Sequence, residues 1–178
     1  QWALDHGLTL ISNSDIHNPL NLDYEVHAGD HRPLTLVFAR DASVEAIREA
    51  LFARRTAVYS GHQLIGEARF LKPIFEASIR LLPSAPQLKG KQMKYLQIHN
   101  ASDIRYELEL VGQVDDLTLP GQIALPPGRT ILFPVRSLAA KLEERRSLNP
   151  VYRIKNLLVA PGQGLEVELP FEVRFSPE

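Results

Sequence analysis

His6-Gly7-Leu8-Thr9-Leu10-Ile11-Ser12-Asn13-Ser14-Asp15-Ile16-His17-Asn18-Pro19 sets a short apolar run against a polar cluster that holds a carboxylate and an imidazole. Leu8 to Ser12, bounded by Gly7 and by Asn13, Ser14 and Asp15, suits a strand buried on both faces. Residues directly after such a strand lie at its C-terminal mouth, where catalytic groups of α/β barrels concentrate. Residues two apart in an extended chain face the same side, so Asp15 and His17 are expected to reach into one site. Carboxylate oxygen with imidazole nitrogen suits Zn²⁺, Mn²⁺ or Fe²⁺. Taken alone, the pair has a plainer reading, an Asp that caps a turn and a His on polar surface.

Upstream, Gln1 to His6 reads as the end of a helix rather than the start of a protein, which implies preceding sequence; a trimmed or processed start is the other reading. Downstream, Asn18 to Arg32 turns polar, with Pro19, Gly29 and two histidines, and is expected to be a long surface loop. Leu34 to Ala39 reads as a second buried strand. Asp41 or Ser43 then offers an N-cap for a helix to about Arg55, with Val44, Ile47 and Leu51 on its buried face. Thr56 to Tyr59 is a third strand ended by Ser60 and Gly61, and Glu67 to Leu82 a further helix despite Pro73. Strand, helix, strand and helix in succession imply α/β architecture with mainly parallel strands.

Pro83 to Lys91, with two prolines, Ser84 and Gly90, marks a linker, which divides the chain into residues 1–82 and 92–178. After it the pattern changes. Tyr95 to Asn100, Tyr106 to Leu110 and Leu165 to Leu169 alternate apolar and polar residues, the mark of half-buried antiparallel strands. Pro120-Gly121, Pro126-Pro127-Gly128 and Pro161-Gly162 supply turns between further strands at Thr130 to Val135 and Tyr152 to Val159. The expectation is an all-β sandwich of immunoglobulin-like character, with a short helix over Ser137 to Arg146 inserted between strands.

Composition bounds the partners. The 178 residues are 44% hydrophobic, with 20 basic against 21 acidic side chains and a net charge of -1, which provides no broad field to gather nucleic acid or an anionic membrane. No stretch approaches the ~20 apolar residues that span a bilayer. The absence of cysteine excludes disulfides and thiolate metal sites and fits cytoplasm or periplasm alike.

The run from His6 to Pro19 resembles the last metal-binding strand of the PHP (polymerase and histidinol phosphatase) family, where a strand ends in Ser-Asp-x-His, here Ser14-Asp15-Ile16-His17. His31-Arg32-Pro33-Leu34-Thr35-Leu36-Val37-Phe38-Ala39, the helix from Ser43 to Leu51 and Arg54-Arg55-Thr56-Ala57-Val58-Tyr59 are similar, in order, to the closing elements of that family. The resemblance covers roughly the first 80 residues, by the domain division above. It implies the C-terminal portion of a distorted (β/α)7 barrel, a multinuclear cluster of divalent metal ions (Zn, Mn or Fe), and hydrolysis of a phosphorylated small-molecule substrate by metal-activated water. Asp15 and His17 match two metal ligands. The family's His-x-His motif and its other ligands have no counterpart here, so the chain alone is expected to be inactive.

Further candidates surround the motif. His27, His31 and Arg32 lie in the loop that follows it, and a guanidinium matches phosphate oxygens in a two-pronged way; equally, all three suit a solvated loop. His62 follows the third strand and either faces the same mouth or makes a turn contact. His6 and His99 read as a helix-end and an exposed strand residue, and Trp2, Phe70 and Phe75 as packing residues. A barrel portion without its early strands leaves edges to be paired, and a homo-oligomer is one way to pair them. Two other functions stay open: a non-catalytic binding or structural module on a degenerate barrel, and a different metal-dependent barrel hydrolase acting on amides or esters.

Overall fold

The structure, a computed structural model, describes residues 1–28, 30–82, 85–139 and 141–177. Along the chain run α1 (Trp2–Asp5), α2 (Leu20–Asp23), β1 (Leu34–Val37), α3 (Val44–Phe52), β2 (Thr56–Ser60), β3 (Gln63–Gly66), α4 (Ala68–Ser78) and β4 (Ile79–Leu81). Then follow β5 (Gln87–Lys89), β6 (Met93–Asn100), β7 (Tyr106–Val111), β8 (Leu117–Thr118), β9 (Gln122–Leu125) and β10 (Thr130–Ser137). The last four are β11 (Glu144–Leu148), β12 (Val151–Ala160), β13 (Gln163–Glu168) and β14 (Phe171–Ser176). No helix among the described residues is long and apolar enough to cross a membrane.

These elements form two compact units, Gln1–Pro73 with Asn156–Gly164, and Ile74–Lys155 with Leu165–Glu178. In the first, β1 and β2 pair antiparallel from Leu34 opposite Tyr59 to Val37 opposite Thr56. Ser60 and Gln63 then close a hairpin around Gly61 and His62, whose φ angles of 55° and 60° match the primed turn that follows the twist of paired strands. β3 lies beside the end of β12, with Leu157 opposite Leu64 and Leu158 opposite Ile65, in the one parallel pairing described in this unit. The expectation of mainly parallel strands is therefore corrected. A two-residue turn can reverse direction only into an antiparallel neighbour, and β3 was not foreseen because Gly61 reads equally as the end of an element.

Ser43 caps α3, its hydroxyl accepting from the Ala46 N–H at 3.2 Å. The buried face of this helix is Ala46 and Ala50, not Val44 and Ile47, which are 76% and 37% exposed. Small side chains allow a helix to lie close against a strand, and here that outweighs the larger apolar stripe. Leu8 to Ser12, expected as a buried strand, joins no ladder, and Leu8 and Ile11 are exposed.

The second unit is a two-layer sandwich. One sheet has the order β4-β6-β10-β8, with Phe133 opposite Leu96 and Ile131 opposite Ile98. Opposed to its buried side are β7 and β9, with Val151 to Ile154 of β12 alongside β7, and a three-stranded sheet β11-β14-β5. Alternation fills the core: Leu96, Ile98, Phe133 and Val135 from one layer, Tyr106, Leu108, Tyr152 and Ile154 from the other. The Phe133 ring meets Tyr152 and Phe171 edge-on at centroid distances of 6.3 and 6.0 Å.

Three sequence expectations differ here. Ile79–Leu81, read as helix, is β4 on β6. Gln87–Lys89, within the expected linker, is β5 on β14, while Pro83 and Ser84 lie outside the described residues. Ser137 to Arg146, read as a helix, instead ends β10 and begins β11, with Ala140 outside the described residues. In β11 the charges are paired outside any helix, Arg145 with Glu172 across on β14 and Arg146 with Asp116 in the turn before β8, and Leu138 remains 54% exposed.

Candidate functional site

Although Leu8 to Ser12 is no ladder strand, threonines tie it down. The Thr9 hydroxyl donates to the Leu51 carbonyl at 2.7 Å, and the Thr56 hydroxyl to the Leu10 carbonyl at 2.9 Å. The Thr35 hydroxyl accepts from the Ser12 N–H at 2.9 Å and donates to the Ser12 carbonyl at 3.0 Å. Side-chain oxygens from β1 and β2 thus replace the missing ladder and deliver Asn13 to His17 to the surface.

Asp15 and His17 are both exposed. Asp15 has a φ of 50°, in the left-handed region, so the extended geometry that would set both side chains on one side does not hold through it. Neither makes a hydrogen bond or ion pair among the described residues, and no three His, Asp or Glu side chains among those residues converge on a point that could hold a metal ion. Among the described residues, Asp15 and His17 therefore have no third ligand-type side chain beside them.

Other candidates do converge. His31 lies flat on Tyr59 of β2 with ring centroids 3.8 Å apart and planes 14° apart, and His62 stands nearly perpendicular to it at 5.6 Å. The Asp30 carboxylate accepts the His31 N–H at 2.8 Å, and His31 Nδ1 is 3.0 Å from the Arg32 carbonyl. A carbonyl only accepts, so Nδ1 carries the proton and Nε2 the lone pair in the neutral ring. Nε2 is buried with no hydrogen-bond partner among the described residues. His62 is fixed by its turn, its carbonyl accepting from the Asn156 amide at 3.1 Å. Arg32 is exposed, and so is His27, which sits on a 3-10 turn at Val26–Ala28. Gly29 lies outside the described residues.

Tyr59 is the member that sequence reading passed over; in Thr56 to Tyr59 it looks like any aromatic strand residue, and only the pairing with β1 shows what it supports. A cavity of about 220 Å³ in the same unit is lined by Leu4, Gly7, Leu10, Arg54, Thr56 and Glu67 among others. It shares no residue with the histidine cluster, and its Glu67 is paired with Arg69 at 3.0 Å.

Among solved structures, a two-domain protein from Bacteroides vulgatus, described as containing a predicted PHP-like metal-dependent phosphoesterase, is 31% identical with a TM-score of 0.83. The match takes in 96% of this chain and 48% of that one, so the chain spans about half the length of that relative. The CupB2 chaperone of Pseudomonas aeruginosa is 16% identical over 55% of each chain with a TM-score of 0.35, too low to bear on fold or function. No curated protein matches. Residues 79–170, just over half of the chain and beginning at β4, match the Ig-like domain family DUF5001. Through that sandwich, the chain belongs to the Ig-like domain family DUF5001.

Proposed function

We propose that the chain is the C-terminal part of a metal-dependent phosphoesterase of the PHP type, its first unit the closing portion of a distorted (β/α)7 barrel and its second an accompanying Ig-like domain. The observation that carries the reading is the 31% identity over 96% of the chain to the Bacteroides protein, taken with Ser14-Asp15-Ile16-His17. On this reading Asp15 and His17 are two ligands of a divalent-metal cluster whose remaining ligands lie elsewhere in the longer protein. Their exposure on an ordered, threonine-anchored segment leaves both free to do so. When bound, such metals supply a water of lowered pKa and stabilise charge on phosphoryl oxygens. No step of hydrolysis is assigned to the residues of this chain.

Two features support incorporation into a larger body. Trp2, Leu8, Ile11, Leu20, Leu22 and Val26 are all exposed in the first unit, apolar side chains that further chain could cover. His31 and His62 bring two imidazoles together, and the His31 Nε2 lone pair, buried without a partner among the described residues, is left for a donor that lies outside them.

The test is metal content and phosphate-ester hydrolysis of the intact protein, compared with Asp15→Ala/His17→Ala. Several bound metal ions, with loss of metal and a rate at least a hundredfold lower in the variant, are expected. Metal-free, inactive protein indifferent to the substitutions would overturn the reading in favour of a non-catalytic module.

A further inference from the structure

The outward side of the sheet β4-β6-β10-β8 differs from the rest of the sandwich in two respects. Its centre is apolar: with Leu96, Phe133 and Val135 in the core, alternation turns Met93, Tyr95 and Leu132 outward, where they are 42%, 49% and 59% exposed. Pro134 lies opposite Tyr95 and continues the patch. The four strands also contain no Asp or Glu, although the chain has 21. The charges on this side are Arg80 and Arg136, both exposed and neither in an ion pair among the described residues. Arg80 lies opposite His99 and Arg136 opposite Met93, so the two guanidiniums stand at opposite ends of the patch, about 20 Å apart at the ~3.3 Å rise of a strand.

We propose that this face docks a protein segment with apolar side chains at its centre and a carboxylate near each end, spaced to meet Arg80 and Arg136. Charge complementarity selects that occupant. A second copy related by a two-fold axis would bring guanidinium against guanidinium with no carboxylate on either side to relieve it. A glycan takes aromatic platforms, whereas here Tyr95 stands among aliphatic groups and the His99 ring is tied to the Thr130 hydroxyl at 3.0 Å. The inference concerns the second unit alone and is independent of the phosphoesterase reading.

The experiment selects a random linear peptide library displayed on phage against the intact protein and measures the affinity of an enriched synthetic peptide. The enriched sequences are expected to carry Asp or Glu on both sides of apolar residues. Affinity is expected to fall at least tenfold in Leu132→Glu and in Arg80→Glu/Arg136→Glu, and to weaken as NaCl is raised. All three positions are exposed, so thermal midpoints should be little changed; if Leu132→Glu fails to fold, Leu132→Ser takes its place. Enriched peptides without carboxylates, binding that survives both variants, or no enrichment at all would overturn the proposal. So would concentration-dependent self-association abolished by the Leu132 variant, which would assign the face to a second copy.

Discussion

The imidazole of His31 rests on the phenol ring of Tyr59, 3.8 Å between centroids, while its Nδ1 is held by the Arg32 carbonyl and its Nε2 is buried without a partner among the described residues. A stacked pair of this kind contributes about 0.5–1.5 kcal/mol beyond area burial. Tyr59→Leu should therefore lower stability by about 1 kcal/mol in urea unfolding. His31→Phe keeps a flat ring on Tyr59 and removes a buried nitrogen with no partner, so its stability should stay within about 1 kcal/mol of the parent. A large loss of stability in His31→Phe would show that the imidazole is structural.

Gly66 sits opposite Ala57 where β2 and β3 pair. A methyl group added there would lie 3.1 Å from the Ala57 Cβ and 3.3 Å from both the Ala57 Cα and the Thr56 carbonyl oxygen. Two of those neighbours are backbone and cannot rotate away. Gly66→Ala should cost about 1–3 kcal/mol, the usual penalty of overpacking. Gly112→Ala meets nothing within 4 Å but has a φ of 82°, so any loss there reflects backbone strain alone. Equal thermal midpoints for Gly66→Ala and the parent would refute the packing argument.

How legible each part was in the sequence follows from physics. The sandwich strands at Tyr95 to Asn100 and Tyr106 to Leu110 could be read because each buries one face against a core and shows water the other, which writes a period of two. The first unit wrote no such signal. Its strands β1 and β3 are four residues each, too short to establish a period, and its leading extended segment is held by Thr9, Thr35 and Thr56, whose hydroxyl contacts leave no periodic trace. Asp15 and His17 were visible as ligand types, but the left-handed turn at Asp15 was not, since any Asp in a polar cluster can be extended or turned. The meeting of His31 with His62 depends on a hairpin whose second strand carries only Leu64 and Ile65 as apolar residues, too few to announce it.

Asp41, before α3, accepts from the Ser43 N–H at 2.9 Å and from the Ser43 hydroxyl, and these bonds hold its carboxyl below the ordinary aspartate value of 3.8. A folded pKa below the unfolded one means that the stabilisation is fully present above 3.8 and is lost as pH falls through the lowered value. A carbon-detected titration should place the Asp41 midpoint below that of an ordinary aspartate. Ser43→Ala should return it toward 3.8 and lower the thermal midpoint at neutral pH through loss of the helix cap. A midpoint unchanged by Ser43→Ala would contradict the assignment.

Asn100 is fully buried at the end of β6 and uses both ends of its amide. Its Nδ2 donates to the Ile104 carbonyl at 2.7 Å and the Leu125 carbonyl at 3.0 Å, while its Oδ1 accepts from the Ser102 N–H at 3.0 Å and the Ser102 hydroxyl at 2.8 Å. Truncation leaves several buried groups without partners at about 1–3 kcal/mol each, so Asn100→Ala should cost on the order of 3 kcal/mol. Asn100→Asp has the same shape but turns an oxygen toward two carbonyl oxygens and buries a charge. It should be the worse of the two at pH 7. Burial and the facing carbonyls raise the pKa of the introduced carboxyl above its unfolded value, so the excess loss over Asn100→Ala should shrink as pH falls and the carboxyl is protonated. Urea unfolding of both variants at pH 7 and pH 4 measures this directly. An Asn100→Asp variant as stable as the parent at neutral pH would mean that the amide's donors are not what holds this corner of the sandwich.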